Sequence, residues 1–325
     1  MEWTEAVVRC VQCGGLGLVV SPDRSAVSCM HCRACFAVLE DIPVVLPEEL
    51  LNGAVPDGPE DVERILRDGQ RLSDYVAIAN RRVHDDLGVD GYACIHHREE
   101  AHQSRLGYDK LFESARRQAS GATRAVDIGA GDCRVTMIAA EHFPEVVALD
   151  ISHAMLLQSR TREDTVARIC CAADNTPLAD GSVDVVIAAA LLHHLVDLPR
   201  FFAEVHRLLR PGGVLCTTHD PNYALLKVWR TLRKVVRLGA TDYSWPGGAL
   251  GALAEYQTAF KGLRPHMVRQ QLVAAGFNPV RVRTYLTPAT FEPRWQRWLR
   301  SALTVTRPVC PRILGTHFAV MASKP

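Results

Sequence analysis

The sequence predicts an α/β protein: a mostly parallel sheet covered by helices on both faces, behind a small cysteine-rich unit at the N-terminus. Between residues 124 and 218, short apolar runs alternate with helical patterns. The first of these runs ends in Gly129-Ala130-Gly131, and two Cys-x-x-Cys pairs stand within the first 32 residues.

The composition bounds the answer. With 325 residues, 48% hydrophobic and 22% charged, the chain has room for one large core and a small accessory unit, and bulk disorder is excluded. A formal net charge of +1 argues against a protein-wide field for nucleic acid. No apolar run reaches the roughly 20 residues of a membrane helix. The start, Met1-Glu2-Trp3-Thr4-Glu5, lacks the pattern of a secretion signal, and eleven cysteines is an odd number. Reduced thiols and a cytoplasmic location are therefore expected.

The N-terminal unit, residues 1–47, is read from Cys10-x-x-Cys13 and Cys29-x-x-Cys32. Two residues between cysteines let both thiolates turn onto one ion, and two such pairs supply the tetrahedral four-sulfur set of structural zinc. The stretch with Leu16, Leu18, Val19 and Val20 reads as a short strand, Pro22-Asp23 as a turn, and Val27 as the start of the return strand. Cys35 is a spare fifth thiol, and four thiolates leave no open position for catalysis by the metal. With the following run, Phe36 to Pro47, the unit resembles the Trm112-like zinc ribbon often fused ahead of methyltransferases. That resemblance implies scaffolding or contact with a protein partner.

Residues 48–118 are expected to form a helical connector or cap, with Val62, Ile65 and Leu66 on one face and Tyr75, Ile78 and Ala79 on another. His96, His97 and His102, with Glu99 and Glu100, read either as a second metal site or as a solvated helix face. From residue 119 to 325 the α/β core follows. Arg124 to Ile128 is a strand, the glycines make a turn, and Val135 to Ala140 is a helix, the opening of a nucleotide-binding unit. Val146 to Leu149 is a second strand ending in Asp150, about 20 residues after the glycines, where a carboxylate accepts ribose hydroxyls. Ile169 to Ala173, Val183 to Ala189 and Val214 to Thr218 are further strands. The helix Phe201 to Leu209 is stopped by Pro211-Gly212-Gly213.

The stretch from Val126 to Asp220 resembles class I methyltransferases, particularly the group containing the quinone-biosynthesis C-methyltransferases. The matching pieces are Val126 to Gly131, Leu149 to Leu156, Ala173 to Leu178, Asp180 to Val186, Leu192-His193-His194-Leu195 and Leu208 to Gly213. The resemblance implies a Rossmann-like, seven-stranded sheet whose last strand is antiparallel, and S-adenosylmethionine as cofactor beside the structural zinc. It places Asp127, Gly129, Ala130 and Gly131 along the methionine and ribose portion and Asp150 on the ribose hydroxyls. Ile151 and Met155 pack on the adenine, and Asp174 accepts from its amino group with Ala173 and Asn175 alongside. Ala189 approaches the sulfonium. Cys133 stands where the family has a third glycine, at the start of the helix.

Methyl transfer from a sulfonium needs alignment, exclusion of water and, for a hydroxyl, amine or carbon acid, removal of a proton. His193, His194, His219 and Asp220, at the ends of the fourth and fifth strands, are the candidates for that step. The segment of about 221–262 departs from the minimal fold as a lid-like insertion. Lys227, Arg230, Lys234 and Arg237 recur in it at helical spacing, which fits peripheral membrane contact, an anionic substrate or a plain solvated lid. Trp295, Trp298, Arg294, Arg297 and Arg300 form an aromatic and basic patch near the C-terminal end. The expected function is methylation of a small-molecule or lipid-linked metabolite, as in natural-product biosynthesis. The alternatives are an rRNA or tRNA methyltransferase, for which the near-neutral charge is a poor match, and a non-catalytic cofactor-binding partner subunit.

Overall fold

Strand β5 (Arg124–Ile128) forms the centre of the sheet, because parallel neighbours flank it on both sides and residues Ala125 to Ile128 are buried. The computed structural model describes residues 3–54, 59–69, 71–96, 101–158, 166–223, 248–285 and 317–325. Next to β5 lie β6 (Glu145–Asp150) and then β7 (Val166–Cys171) on one side. On the other lie β8 (Val183–Ala189) and β9 (Leu209–Pro221), all parallel. The last strand, β11 (His317–Ser323), inserts antiparallel between β9 and β10 (Val280–Tyr285). This is the expected seven-stranded α/β sheet. Its parallel strands are near-continuous runs of Val, Ile, Leu and Ala because both faces are covered.

The N-terminal unit does not stand apart from this sheet. Short strands β1 (Leu18–Val20), β2 (Ala26–Cys29) and β3 (Cys35–Leu39) form an antiparallel ribbon. A hairpin then leads into β4 (Ile42–Val45), every residue of which is buried. β4 pairs in parallel with β7, Val44 opposite Cys170 and Val45 opposite Cys171. Val7, Cys10, Val27 and Phe36 accordingly belong to the same apolar core as Val126, Leu149 and Phe201. The opposite face of the sheet is filled by α5 (Ala101–Gln118), whose Phe112 and Ala115, with Ala119 just after it, pack with Phe143, Val146 and Val185.

Three further helices position the site. α2 (Glu48–Asn52) and α4 (Leu72–His96) come from the connector, and α8 (Leu198–Leu208) follows β8. Asp197 caps α8 by accepting the Arg200 N–H at 3.0 Å. Its buried Glu204 accepts from Thr176 N–H at 2.8 Å, from Thr176 Oγ1 at 2.7 Å and from Arg207 at 2.6 Å, which ties the loop after β7 to the helix. Gly213 is required at the start of β9, since a Cβ there would meet the Arg210 carbonyl at 2.9 Å. Among the described residues, no helix is long and apolar enough to cross a membrane. His97, Glu99 and Glu100, the basic stretch after Tyr223, and the patch around Trp295 and Trp298 lie outside the described residues.

Candidate active site

The carboxyl ends of the parallel strands open into a cavity of about 400 Å³, within the range of small-molecule sites. Gly129 and Gly131 form its floor, Asp150 and Ile151 one wall, and Ala173, Asp174 and Asn175 the next. α4 closes the cavity from above with Ala77, Asn80 and His84. Ala189 and His194 line the far end.

The glycine turn works because of backbone geometry. Gly129 has φ 75°, in the left-handed region, and a Cβ on it would lie 2.8 Å from Leu191 Cδ1. Asp150 locks the turn: its Oδ2 accepts the Gly131 N–H at 2.8 Å and its Oδ1 the Ser152 N–H at 2.8 Å. Each oxygen retains acceptor capacity for a ligand hydroxyl. Burial raises the Asp150 carboxyl above its ordinary range, opposed by the Ser152 N–H and by His84. Asp174 pairs with Arg200 at 3.1 Å, and burial likewise raises its carboxyl despite that partner.

Asp127, Ala130 and Met155 sit behind the lining rather than in it. Met155 is fully buried and its Cε lies beneath Gly131. The Asp127 carboxylate is buried under the glycine turn. Thr136 Oγ1 donates to its Oδ2 at 2.6 Å, and its Oδ1 has no hydrogen-bond partner among the described residues. Burial pushes the Asp127 pKa up to about 7. Between the ordinary carboxylate value and about pH 7, the unfolded chain has released a proton that the folded chain keeps. Stability therefore falls as pH rises through that window. The Asp127→Asn variant removes the effect, which is up to about 4 kcal/mol for a shift of this size. Melting curves near pH 5 and pH 8 are expected to show a steeper loss in the wild type. Equal slopes in both proteins would show that Asp127 ionises normally.

Cys133, where the resemblance places a third glycine, has φ 57° and ψ 19°, a left-handed cap to the helix α6 (Arg134–Ala139). The cysteine therefore takes the backbone shape of a glycine, at a cost of about 1–2 kcal/mol for an L residue.

Of the four proton-transfer candidates, three come together. His193 Nδ1 lies 3.0 Å from Asp220 Oδ1, and the His193 backbone N–H donates to the same oxygen at 3.2 Å. Burial disfavours the charged His193 ring, but Glu255 and Asp220 outweigh it and raise its pKa. Burial raises the Asp220 carboxyl too, opposed by His193. His194 stands next to His193, ring centroids 4.1 Å apart, and its Nδ1 donates to the Ala254 carbonyl at 2.9 Å. His219 is elsewhere: it stacks on Tyr108, its Nδ1 3.1 Å from the Tyr108 hydroxyl, and burial pushes its pKa down to about 4. The residue that sequence reasoning missed is Glu255, whose carboxylate faces both His193 and His194. Its position some 60 residues from the histidines gives no local signal.

The cysteine pairs also converge. Cys10 and Cys32 sulfurs are 3.6 Å apart, Cys13 and Cys29 sulfurs 3.7 Å, and all four lie within 4.8 Å of one another. Cys35 faces away, against Ser28. The knuckle is fastened to the cavity wall. Val8 and Arg9 N–H groups both donate to the Pro177 carbonyl at 2.9 Å. Arg9 Nη1 donates to Asn175 Oδ1 at 3.1 Å, and Asn175 Nδ2 donates to the Val11 carbonyl at 2.8 Å.

Comparison with known proteins agrees with this architecture. The family model described as a methyltransferase domain matches residues 126–217. A demethylmenaquinone methyltransferase of Mycolicibacterium gilvum is 31% identical over 185 residues, 55% of this chain and 79% of that protein. A malonyl-[acyl-carrier protein] O-methyltransferase of Xylella fastidiosa is 37% identical over 103 residues, but the match spans only 35% of that protein and 30% of this chain. A solved S-adenosylmethionine-dependent methyltransferase of Thermotoga maritima aligns with 76% of this chain and 100% of its own, at 17% identity and a TM-score of 0.48. The glycine turn, the acid at the end of β6 and the strand order thus coincide with a matching family model and a relative covered over most of its length, and the chain belongs to the class I S-adenosylmethionine-dependent methyltransferases.

Proposed function

We propose that the protein methylates a small-molecule or lipid-linked acceptor. The observation that carries this reading is the single cavity with two chemically different ends. Asp150, with spare acceptor capacity, stands in one wall, and His194 lines the far end, with His193, Asp220 and Glu255 packed behind it.

The residues present fit S-adenosylmethionine. Gly129 leaves the space a Cβ would fill, and Asp150, with acceptor capacity left on both oxygens, would hold a ribose diol. Asp174 and Asn175 would meet the adenine edge, with Ile151 packed on its face. When bound, the cofactor supplies an activated methyl group on a sulfonium. The chain's own part is to align the acceptor past Ala189, exclude water under α4 and take up the acceptor's proton in the His193 cluster.

The ribbon fits one structural zinc held by Cys10, Cys13, Cys29 and Cys32. Sulfurs each about 2.3 Å from a tetrahedral zinc stand about 3.8 Å apart, close to the two short separations found. The four-thiolate set is closed and takes no part in catalysis.

Two relatives point to acceptors of this size, since their names give demethylmenaquinone and malonyl-[acyl-carrier protein] as substrates. The test is methyl transfer from labelled cofactor to solvent-extractable metabolites and, separately, to total RNA. Label in the extractable fraction is expected. Label confined to ribonuclease-sensitive material would overturn the acceptor assignment, and folded protein that binds no S-adenosylmethionine would overturn the whole reading.

A further inference from the structure

His193, His194 and Glu255 form a second cluster whose ligand atoms all lie within 4.8 Å of one another. The histidines occupy a single helical turn, Leu192–His194, directly after β8, and Glu255 follows the helix Gly248–Ala254. Glu255 Oε2 lies 3.5 Å from His193 Nε2, and Oε1 lies 3.9 Å from His194 Nε2. Both separations exceed the 2.7–3.2 Å of an N–H···O hydrogen bond. They lie nearer the edge of a tetrahedral site, about 3.3–3.4 Å for nitrogen and oxygen ligands about 2.0–2.1 Å from zinc.

The other nitrogen of each ring is already engaged. A carbonyl oxygen only accepts, so His194 Nδ1 carries the proton given to Ala254, and in the neutral ring Nε2 keeps a lone pair. His193 Nδ1 faces the Asp220 carboxylate, which orients the ring as outer carboxylates orient metal-bound histidines. Asp220 is wholly buried and its Oδ2 has no hydrogen-bond partner among the described residues. A fixed positive charge one ring away would offset that buried carboxylate.

We propose that His193, His194 and Glu255 bind a divalent transition metal, zinc foremost, as a two-histidine, one-carboxylate site. Three protein ligands leave a position open for an oxygen of the substrate. His194 also lines the cofactor cavity, so that position lies at the acceptor end. With metal bound, His193, His194 and Glu255 act as ligands in place of proton acceptors, and an acceptor hydroxyl at the open position would give up its proton more readily, to a water at the mouth of the cavity. Its lone pair then forms the new C–O bond, while the C–S pair stays on the cofactor's sulfur. The metal's role in catalysis rests on the methyl-transfer reading; its binding does not.

Cobalt(II) distinguishes this site from the ribbon, because only thiolate ligands give sulfur-to-cobalt charge-transfer bands. The full chain, stripped of metal and titrated with cobalt, is expected to take two equivalents: one with charge transfer and one with ligand-field bands alone. Glu255→Gln and, independently, His193→Gln should weaken the second by more than the roughly 10–100-fold that outer-shell changes cost, and leave the first intact. Cys13→Ser should do the reverse. Thermal melting of each variant checks that it folds. A wild type that takes only the thiolate-bound equivalent, or a folded Glu255→Gln protein that keeps both at full affinity, would overturn the proposal. Calorimetry with S-adenosylmethionine on the metal-free chain reports the cofactor reading separately.

Discussion

Replacing Cys10 with serine is expected to remove the zinc proposed for the ribbon and to weaken S-adenosylmethionine binding in the neighbouring cavity by roughly 5–100-fold. The first effect follows from the ligand set. Structural zinc contributes about 10–16 kcal/mol of apparent binding energy in small domains, so loss of one thiolate unfolds the knuckle. The second follows from what flanks the thiol. Arg9 and Val11, on either side of Cys10, hold opposite ends of the Asn175 side chain, which lines the cavity. An ordinary hydrogen bond contributes about 0.5–1.5 kcal/mol, and two of them, together with those to Pro177, fall with the knuckle. Metal analysis and calorimetry on the same preparation check both. Zinc loss with unchanged cofactor affinity would show that the ribbon does not position the cavity wall.

Asp150→Ala is expected to abolish measurable cofactor binding at ordinary concentrations. Two hydroxyl hydrogen bonds to a charged acceptor are worth about 1.5–3 kcal/mol each, so the loss is at least about 100-fold. The variant also strips the Gly131 and Ser152 N–H groups of their acceptor and loosens the turn itself. Asp150→Asn, which keeps one carbonyl oxygen, should retain an intermediate affinity. The cofactor-induced rise in melting temperature gives a second readout, and it should vanish in the alanine variant. Binding within a factor of three of the wild type would show that Asp150 does not hold the ribose.

The sheet was legible because its signals are local. Each strand end carries its own marker: the glycines after β5, Asp150 after β6, Asp174 after β7 and the paired histidines after β8. What escaped depends on contacts between distant segments. The run Ile42 to Val45 reads as the tail of the ribbon, and nothing in its apolar pattern reveals β7 as its neighbour. α4 shows helical spacing, but not that Asn80 and His84 face a ligand cavity. Glu255 is one acid at the end of an alanine-rich helix, and only the fold aims it at His193. The proton-transfer candidates were chosen by their place at strand ends. That rule brings His193 and Asp220 together, and it cannot show that His219 turns toward Tyr108.

The hairpin that carries the ribbon into β4 has a consequence for solubility. In its absence β7 would be the border of the sheet, with the backbone groups of Cys170 and Cys171 open to pairing by another chain. β4 occupies those groups, and beyond it β3 belongs to a short, twisted ribbon that a foreign strand cannot readily extend. The cysteine-rich unit thus doubles as a guard against aggregation. A chain that begins after Pro47 would lose only Pro47 from the cavity lining and still be prone to stick to its own copies.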